Sequence, residues 1–247
     1  MRFPGEVDAR HSKRAKAAGA SVASGPEPSP SEEMYLKTLQ RLEGEGRVTG
    51  AQLAEALGIS APSVSEMLHR LEKRGWVKPG SGGVHLSARG RRLAIRTIRR
   101  HRLAERLFTD VLRLPWEQVH EPACALEHAV SDAVADRIDE VLQHPSTCPH
   151  GHPIPSRDGG LPEETGRGLA SLQTGGRGVV LRISREDPDL LSYLGTLGLV
   201  PGANVTVEQV APFGGPLLVR VGRTRYALGR EVAAMVAVRE VLQDKAS

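Results

Sequence analysis

Apolar residues recur at helical spacing from residue 31 to 143, then give way to short Val/Leu runs broken by Gly and Pro. Ser31 precedes Glu32 and Glu33, a helix start with acids in its first turn, and Tyr35, Leu36, Leu39 and Leu42 form one stripe that ends at Gly44 and Gly46. Thr49 is placed to cap a second helix carrying Leu53, Ala54 and Leu57, which Gly58 stops. Ser60 caps a third, with Pro62 in its first turn, Val64, Met67, Leu68 and Leu71 facing inward, and Gly75 at its end. Two short helices joined by Gly-Ile-Ser have helix-turn-helix spacing. GWVKPGSGGVHLSARG then reads as two strands around a Gly-rich turn, so the pattern predicts a winged helix over residues 31–100.

Eight arginines and one acid, Glu105, fall between Arg89 and Arg106. A basic run alone is usually a solvated face. Placed directly after a wing, it predicts phosphate contacts, which makes double-stranded DNA the expected partner. Thr49, Ser60, Pro62, Ser63, Ser65, Glu66 and Arg70 are the candidate DNA-binding residues around the turn and third helix. Beyond it, Leu103, Leu107, Val111 and Leu114 line one side of a helix, with Phe108 and Leu112 flanking the other. PWEQVHEPACALEHAVSD then opens a further helix whose core stripe is Leu126, Val130, Ala133, Val134 and Val141. Residues 144–166 collect Pro, Gly and polar residues and read as a linker. VVLRI, NVTVEQV, PLLVRV and AAMVAVREV beyond it predict a small antiparallel barrel. The expected fold class is therefore mainly α with a β barrel.

The chain has 247 residues, 39% hydrophobic and 25% charged, enough for two or three small domains. No apolar run approaches the roughly 20 residues of a membrane helix, and the first 30 residues lack a secretory apolar segment. That predicts a cytoplasmic protein without a membrane partner, and residues 1–30 read as a disordered basic extension. The formal net charge is only +4, so the distribution of charge matters more than its sum. Two cysteines, Cys124 and Cys148, make no disulfide framework; thiols in a reducing compartment pack, react or bind metal.

His101 and Glu105, four apart, share a helix face, and Cys124, Glu127 and His128 converge at i, i+3 and i+4 on the next helix. Taken singly, Cys124 fits a small core residue, Glu127 a solvated acid, and either histidine a satisfied surface group. Together, thiolate, carboxylate and imidazole suit an intermediate divalent transition metal rather than Mg or Ca. Met34 lies off the stripe of its own helix, a soft ligand or a cover for a partner surface, and His120 can join the His101/Glu105 pair. A metallohydrolase is disfavoured, because the chain has no HExxH and no paired general base. The remaining rival is a winged-helix regulator that answers to a small organic effector.

EMYLKTL, QLAEALGISAPSVSEMLHRLEKRGWV, HRLAERL and HEPACALEHAVSD resemble the diphtheria-toxin-repressor family of metal-dependent transcriptional repressors, over about residues 31–143. The segment TLGLVPGANVTVEQVAPFGGPLLVRVG, with ALGRE, is similar to the SH3-like barrel of ferrous-iron transport accessory proteins. The resemblance implies a winged helix, a helical metal-binding and dimerisation domain over 101–143, and an SH3-like domain over 167–247. It implies a homodimer that represses metal-uptake genes, with no enzymatic activity and no small organic substrate. Met34, Cys124, Glu127 and His128 match the family's activating site, and His101, Glu105 and His120 its ancillary site. The acidic turn offers Glu186, Asp187 or Asp189 as further donors to the ancillary site. CPHGHPIP matches a family turn, and Cys148, His150 and His152 are read as structural. Met with Cys is the iron-type pattern, and both Fe(II) and Mn(II) remain open, while Co(II), Ni(II) and Zn(II) are expected to bind in vitro. Glu66 stands where iron-sensing relatives carry Gln. An acid there accepts only from a base such as cytosine N4, so an operator cannot be copied from them.

Overall fold

The computed structural model describes residues 27–80, 83–163 and 165–241; most of the expected N-terminal extension lies outside them. The first helix, α1 (Pro30–Glu45), starts earlier than the acids alone predict. Ser29 caps it in a full capping box with Glu32, and Pro30 fills the first turn. The helices α2 (Gly50–Leu57) and α3 (Ala61–Lys73) follow, capped by Thr49 and Ser60, with Gly58 in the left-handed conformation closing α2. The strands β1 (Val77–Gly80) and β2 (Gly83–Leu86) pair antiparallel as the wing. Tyr35, Leu36, Leu39, Val48, Leu53, Val64, Leu71 and Trp76 form one buried core beneath these elements.

The long helix α4 (Ala88–Arg106) runs from the wing into the next unit, and a Cβ on Gly90 would lie 1.9 Å from the Trp76 carbonyl oxygen. Only glycine lets α4 approach that closely. The arginine run of α4 corrects the expectation of phosphate contacts. Arg91 pairs with Glu43 at 2.6 Å, Arg96 with Asp132 at 2.8 Å, and Arg99 with Asp136 at 3.1 Å and Asp139 at 2.9 Å. Arg100 pairs with Glu33, Arg102 donates to the Pro153 carbonyl, and Arg106 donates to the Thr147 carbonyl at 2.6 Å. Because α4 is packed on several sides, its guanidinium groups meet internal acceptors. Arg89 and Arg92 are exposed.

After α4 the chain makes one π turn (Leu107–Val111) and a 3-10 turn (Trp116–Gln118). What the sequence presents as one helix is two, α5 (His120–Leu126) and α6 (Asp132–Val141), because Ser131 caps a new start by accepting from the Val134 N–H. Val134 and Val141 consequently leave the core and are exposed, at 49% and 69%.

The segment after α6 is ordered around CPHGHPIP. Thr147 bridges Pro153, the Cys148 N–H donates to the His152 carbonyl at 2.8 Å, and Cys148, His150 and Ile154 are buried. Beyond it lie β3 (Arg167–Gly168), β4 (Arg177–Ile183), α7 (Pro188–Thr196), β5 (Asn204–Val210), β6 (Leu217–Val221), β7 (Thr224–Leu228), α8 (Arg230–Met235) and β8 (Val236–Glu240). The strands make one antiparallel sheet in the order β3-β8-β4-β5-β6-β7. Among the described residues β3 and β7 stand at the two edges of the sheet, with no ladder between them. Bulges at Val180/Arg182 and Val207/Gln209 bend the sheet over a core of Leu169, Leu172, Leu191, Leu194 and Leu199. No helix among the described residues is long and apolar enough to cross a membrane.

Candidate metal centre

Three helices and two loops bring the ligand-type residues together between the winged helix, the α4–α6 unit and the C-terminal sheet. From α1, Lys37 Nζ lies 2.7 and 3.0 Å from the two carboxylate oxygens of Glu127 and 3.3 Å from His101 Nδ1. Glu33, also on α1, accepts from Arg100 and sits 2.6 Å from His128 Nδ1. Met34 is half-buried between these two on the helix, one turn before Lys37. The Cys124 thiol faces His120 Nε2 at 3.6 Å and His101 Nδ1 at 3.9 Å. The thiol therefore groups with His101 and His120 within 4.8 Å, while Glu127 and His128, expected on the same helix as Cys124, lie just past the end of α5 and face Lys37, His101 and Glu33.

His101 joins this group to a second one. Its Nδ1 is 2.6 Å from Glu127 and its Nε2 3.1 Å from Glu105, so both ring nitrogens face carboxylates. Burial alone would lower its pKa, but Glu105 and the Cys124 thiol outweigh it and hold the imidazole well above its ordinary range. Burial would likewise raise the pKa values of Glu105 and Glu186; the surrounding imidazoles hold both carboxyls well below their usual range. Against the same desolvation, Cys124, Glu105 and Glu186 push His120 up to about 11. His101 and His120 bring the Cys124 thiol down to about 6, although its burial acts in the opposite sense. Cys124 is thus largely thiolate at neutral pH.

The second group contains two overlapping ligand sets. One atom each of His101, Glu105, His120 and Glu186 lie within 4.8 Å of one another, and so do those of Glu105, Cys148, His150 and Glu186. Of the three acids around the start of α7, only Glu186 reaches inward. Asp187 caps α7 by accepting from the Leu190 N–H at 3.0 Å, and Asp189 is exposed in the first turn.

Cys148 and His150, read from sequence as structural, share this pocket. His150 Nε2 lies 2.8 Å from the Trp116 carbonyl, to which an N–H donates, leaving Nδ1 to face Glu105 at 3.3 Å and Glu186 at 3.6 Å. A backbone acceptor on one imidazole nitrogen is the usual outer support of a metal-bound histidine. The available signal was the Cys-x-His spacing itself. What sequence could not show was that α4 and the β4–α7 turn bring two carboxylates to meet it. His152 Nε2 lies 3.1 Å from the Ile183 carbonyl and 3.5 Å from Glu186, at the edge of the group.

The donor set fits a divalent ion. Glu105 Oε2, His120 Nδ1 and His150 Nδ1 are buried atoms without a hydrogen-bond partner. His120 Nδ1 is only 2.5 Å from a Glu186 oxygen yet lacks hydrogen-bond geometry, as ligand atoms aimed at a common centre would. Buried polar atoms left unpaired at such proximity are costly unless a cation joins them.

The candidate DNA surface lies along α3. Ser60, Pro62, Ser63, Ser65, Glu66 and Arg70 are exposed along α3. Ser60 Oγ is 2.9 Å from Ser63 Oγ and caps α3, while Glu66 pairs with Arg70 at 3.3 Å across one helical turn. Thr49 is only half-exposed, and its hydroxyl is engaged in the capping box with Gln52.

Comparison with known proteins gives three family matches. These are the iron dependent repressor N-terminal DNA binding domain over residues 28–80, the iron dependent repressor metal binding and dimerisation domain over 87–156, and the FeoA domain over 167–240. The chain is 42% identical over 224 residues to the iron-dependent repressor IdeR of Mycobacterium tuberculosis, spanning 85% of this chain and 96% of that protein. It is 45% identical over 129 residues to the diphtheria toxin repressor of Corynebacterium diphtheriae, 51% of this chain and 57% of that one. Among solved structures, a manganese-dependent transcriptional repressor in complex with manganese superposes with a TM-score of 0.80 at 35% identity, covering 85% of this chain and all of that one. ScaR with bound Cd2+ gives 0.74 at 30% identity, covering 85% and 99%. With three matched domains in the same order and a ligand cluster between them, the chain belongs to the iron-dependent repressor family of metal-dependent, DNA-binding transcriptional repressors.

Proposed function

We propose that this protein is a homodimeric repressor of metal-uptake genes whose affinity for a double-stranded DNA operator is set by Fe(II) or Mn(II) at the junction of the winged helix and the α4–α6 unit. The observation that carries this reading is that α1, the first helix of the DNA-binding unit, reaches into the cluster built by α4 and α5. Lys37 meets Glu127 at 2.7 Å, and Glu33 meets His128 at 2.6 Å.

In this reading Met34, Cys124, Glu127 and His128 hold the activating ion. Glu105 and Glu186 hold a second, completed by His101 with His120 or by Cys148 with His150. Bound there, a divalent ion supplies a positive centre that the thiolate, carboxylates and imidazoles share. Met34 on α1, with Cys124 on α5 and Glu127 and His128 just past its end, then fixes the winged helix against the α4–α6 unit. Leu112, Val134 and Val141, exposed at 56%, 49% and 69%, supply an apolar surface for a second copy. In a two-fold dimer this orientation sets the two α3 helices about 34 Å apart, one turn of B-DNA. Ser60, Ser63, Ser65, Glu66 and Arg70 then lie along the exposed face that enters the groove.

Fluorescence anisotropy on a promoter fragment, anaerobically, with Fe(II) or Mn(II) against chelator, tests the reading. DNA binding is expected to tighten at least about tenfold, some 1.4 kcal/mol of coupling, and metal and DNA must each tighten the other's binding. Cys124→Ala and Glu127→Ala are expected to abolish the response. Tight binding indifferent to chelator in the unmodified protein would overturn metal control and favour an organic effector.

A further inference from the structure

Lys37 stands one helical turn after Met34 on the same face of α1, and its ammonium sits on the carboxylate that the activating site would use. It contacts both oxygens of Glu127, at 2.7 and 3.0 Å, and lies 3.3 Å from His101 Nδ1. The Glu127 side chain is fully buried and that of Lys37 is 19% exposed. A buried carboxylate without a counter-charge is strongly destabilising, so the metal-free protein needs this ammonium or an equivalent.

We infer that Lys37 is a tethered cation that occupies the activating site in the metal-free protein and must be displaced for an ion to bind, so that this one side chain sets the metal threshold of the repressor. The inference rests on the metal-site reading above.

Three physical points carry it. A divalent ion bound by Glu127 would stand within a few ångströms of the ammonium, where like charges in a low-dielectric site repel strongly. Lysine contributes a compact charge on a flexible four-carbon stem, so it can leave without moving the helix, and its partial exposure gives a path to water. Finally, the rest of the site is already held by other partners. His128 is fixed by Glu33, Cys124 by His101 and His120, and Glu127 by His101 as well. Removing Lys37 therefore leaves the ligands in place and the site one positive charge poorer.

The test is anaerobic titration of the full-length protein with Co(II), whose thiolate charge-transfer band reports the Cys124 site, for the wild type, Lys37→Met, Lys37→Gln and Lys37→Arg. Co(II) is expected to bind the thiolate site at least tenfold more tightly in Lys37→Met and Lys37→Gln, near wild-type affinity in Lys37→Arg, and with unchanged affinity at the second site. The metal-free melting temperature of Lys37→Met should fall while that of its Co(II)-loaded form stays near wild type. In the wild type, Lys37 should resist amine acylation without metal and become reactive, by mass spectrometry, when Co(II) is added. Affinity in both neutral variants equal to or weaker than wild type, or acylation indifferent to Co(II), overturns the inference alone. Absence of a Cys124-dependent band in the wild type overturns the metal-site reading together with it.

Discussion

Imidazoles facing carboxylates give the metal-free protein a particular response to pH. His120 and His150 are raised to about 11 and about 12, and His101 is raised as well, each against its own desolvation. A raised group stabilises the fold fully below its ordinary pKa of 6.5 and loses that contribution as pH climbs toward the folded value. Cys124 acts in the opposite sense, since a thiol lowered from 9.0 to about 6 adds stability between those values. Three imidazoles outweigh one thiol. The melting temperature in chelator should therefore fall as pH rises from 6.5 to 9, and a rising profile by scanning calorimetry would contradict the protonation pattern. Metal affinity should move the other way, because bound protons compete with the ion. On the same scale, His150→Ala should weaken the second ion at least about tenfold while leaving the Cys124 site intact, which calorimetric titration resolves as the loss of one of two binding events.

At the scale of elements, the caps were legible and the ion pairs were not. Thr49, Ser60, Gly58 and the Gly-rich wing turn punctuate the winged helix through local backbone needs, and local chemistry is what a sequence displays. The division of α5 from α6 was equally local but was overridden by an apolar pattern that continues across it. Ser131→Ala should cost about 1 kcal/mol by removing the α6 cap, measurable by denaturant melts. The arginines of α4 misled because their acids lie far along the chain: Asp139 is 40 residues from Arg99, and Glu33 is 67 from Arg100. The CPHG turn shows the same limit. Gly151 has φ of +91°, and a Cβ there would meet the Leu181 carbonyl oxygen at 2.0 Å, while the His150 carbonyl accepts from the Ile183 N–H at 3.0 Å. Gly151→Ala should therefore lift the turn from β4, destabilise the protein by about 2 kcal/mol or more, and drop the bound metal from two ions to one without altering any ligand. Elemental analysis after dialysis checks the stoichiometry.

For the whole molecule, Cys124, Glu127 and His128 could be proposed as one set from helical spacing because they are close in sequence, although α5 itself ends at Leu126. In the second group His101 with Glu105 was legible in the same way, and the family resemblance offered His120 and Glu186; Cys148 and His150 were not, because only the packed fold brings that stretch to Glu105 and Glu186. The exposure of Val134 and Val141 also emerges only once α5 and α6 are separate. Leu112→Asp with Val134→Asp should shift the protein toward monomer in sedimentation velocity and remove tight operator binding, while the melting temperature of the subunit changes little.

The second group has Glu105, Cys148 and His150 on one side of residues 157–163 and Glu186 on the other. Most of that stretch is exposed, the kind of place a protease cuts. A single nick there severs the polypeptide but not the coordination. In Mn(II) or Co(II) the two pieces should run together through a sizing column, and in chelator they should separate far more readily. Across that cut, an ion bound by Glu105, His150 and Glu186 would be a reversible splice in the chain.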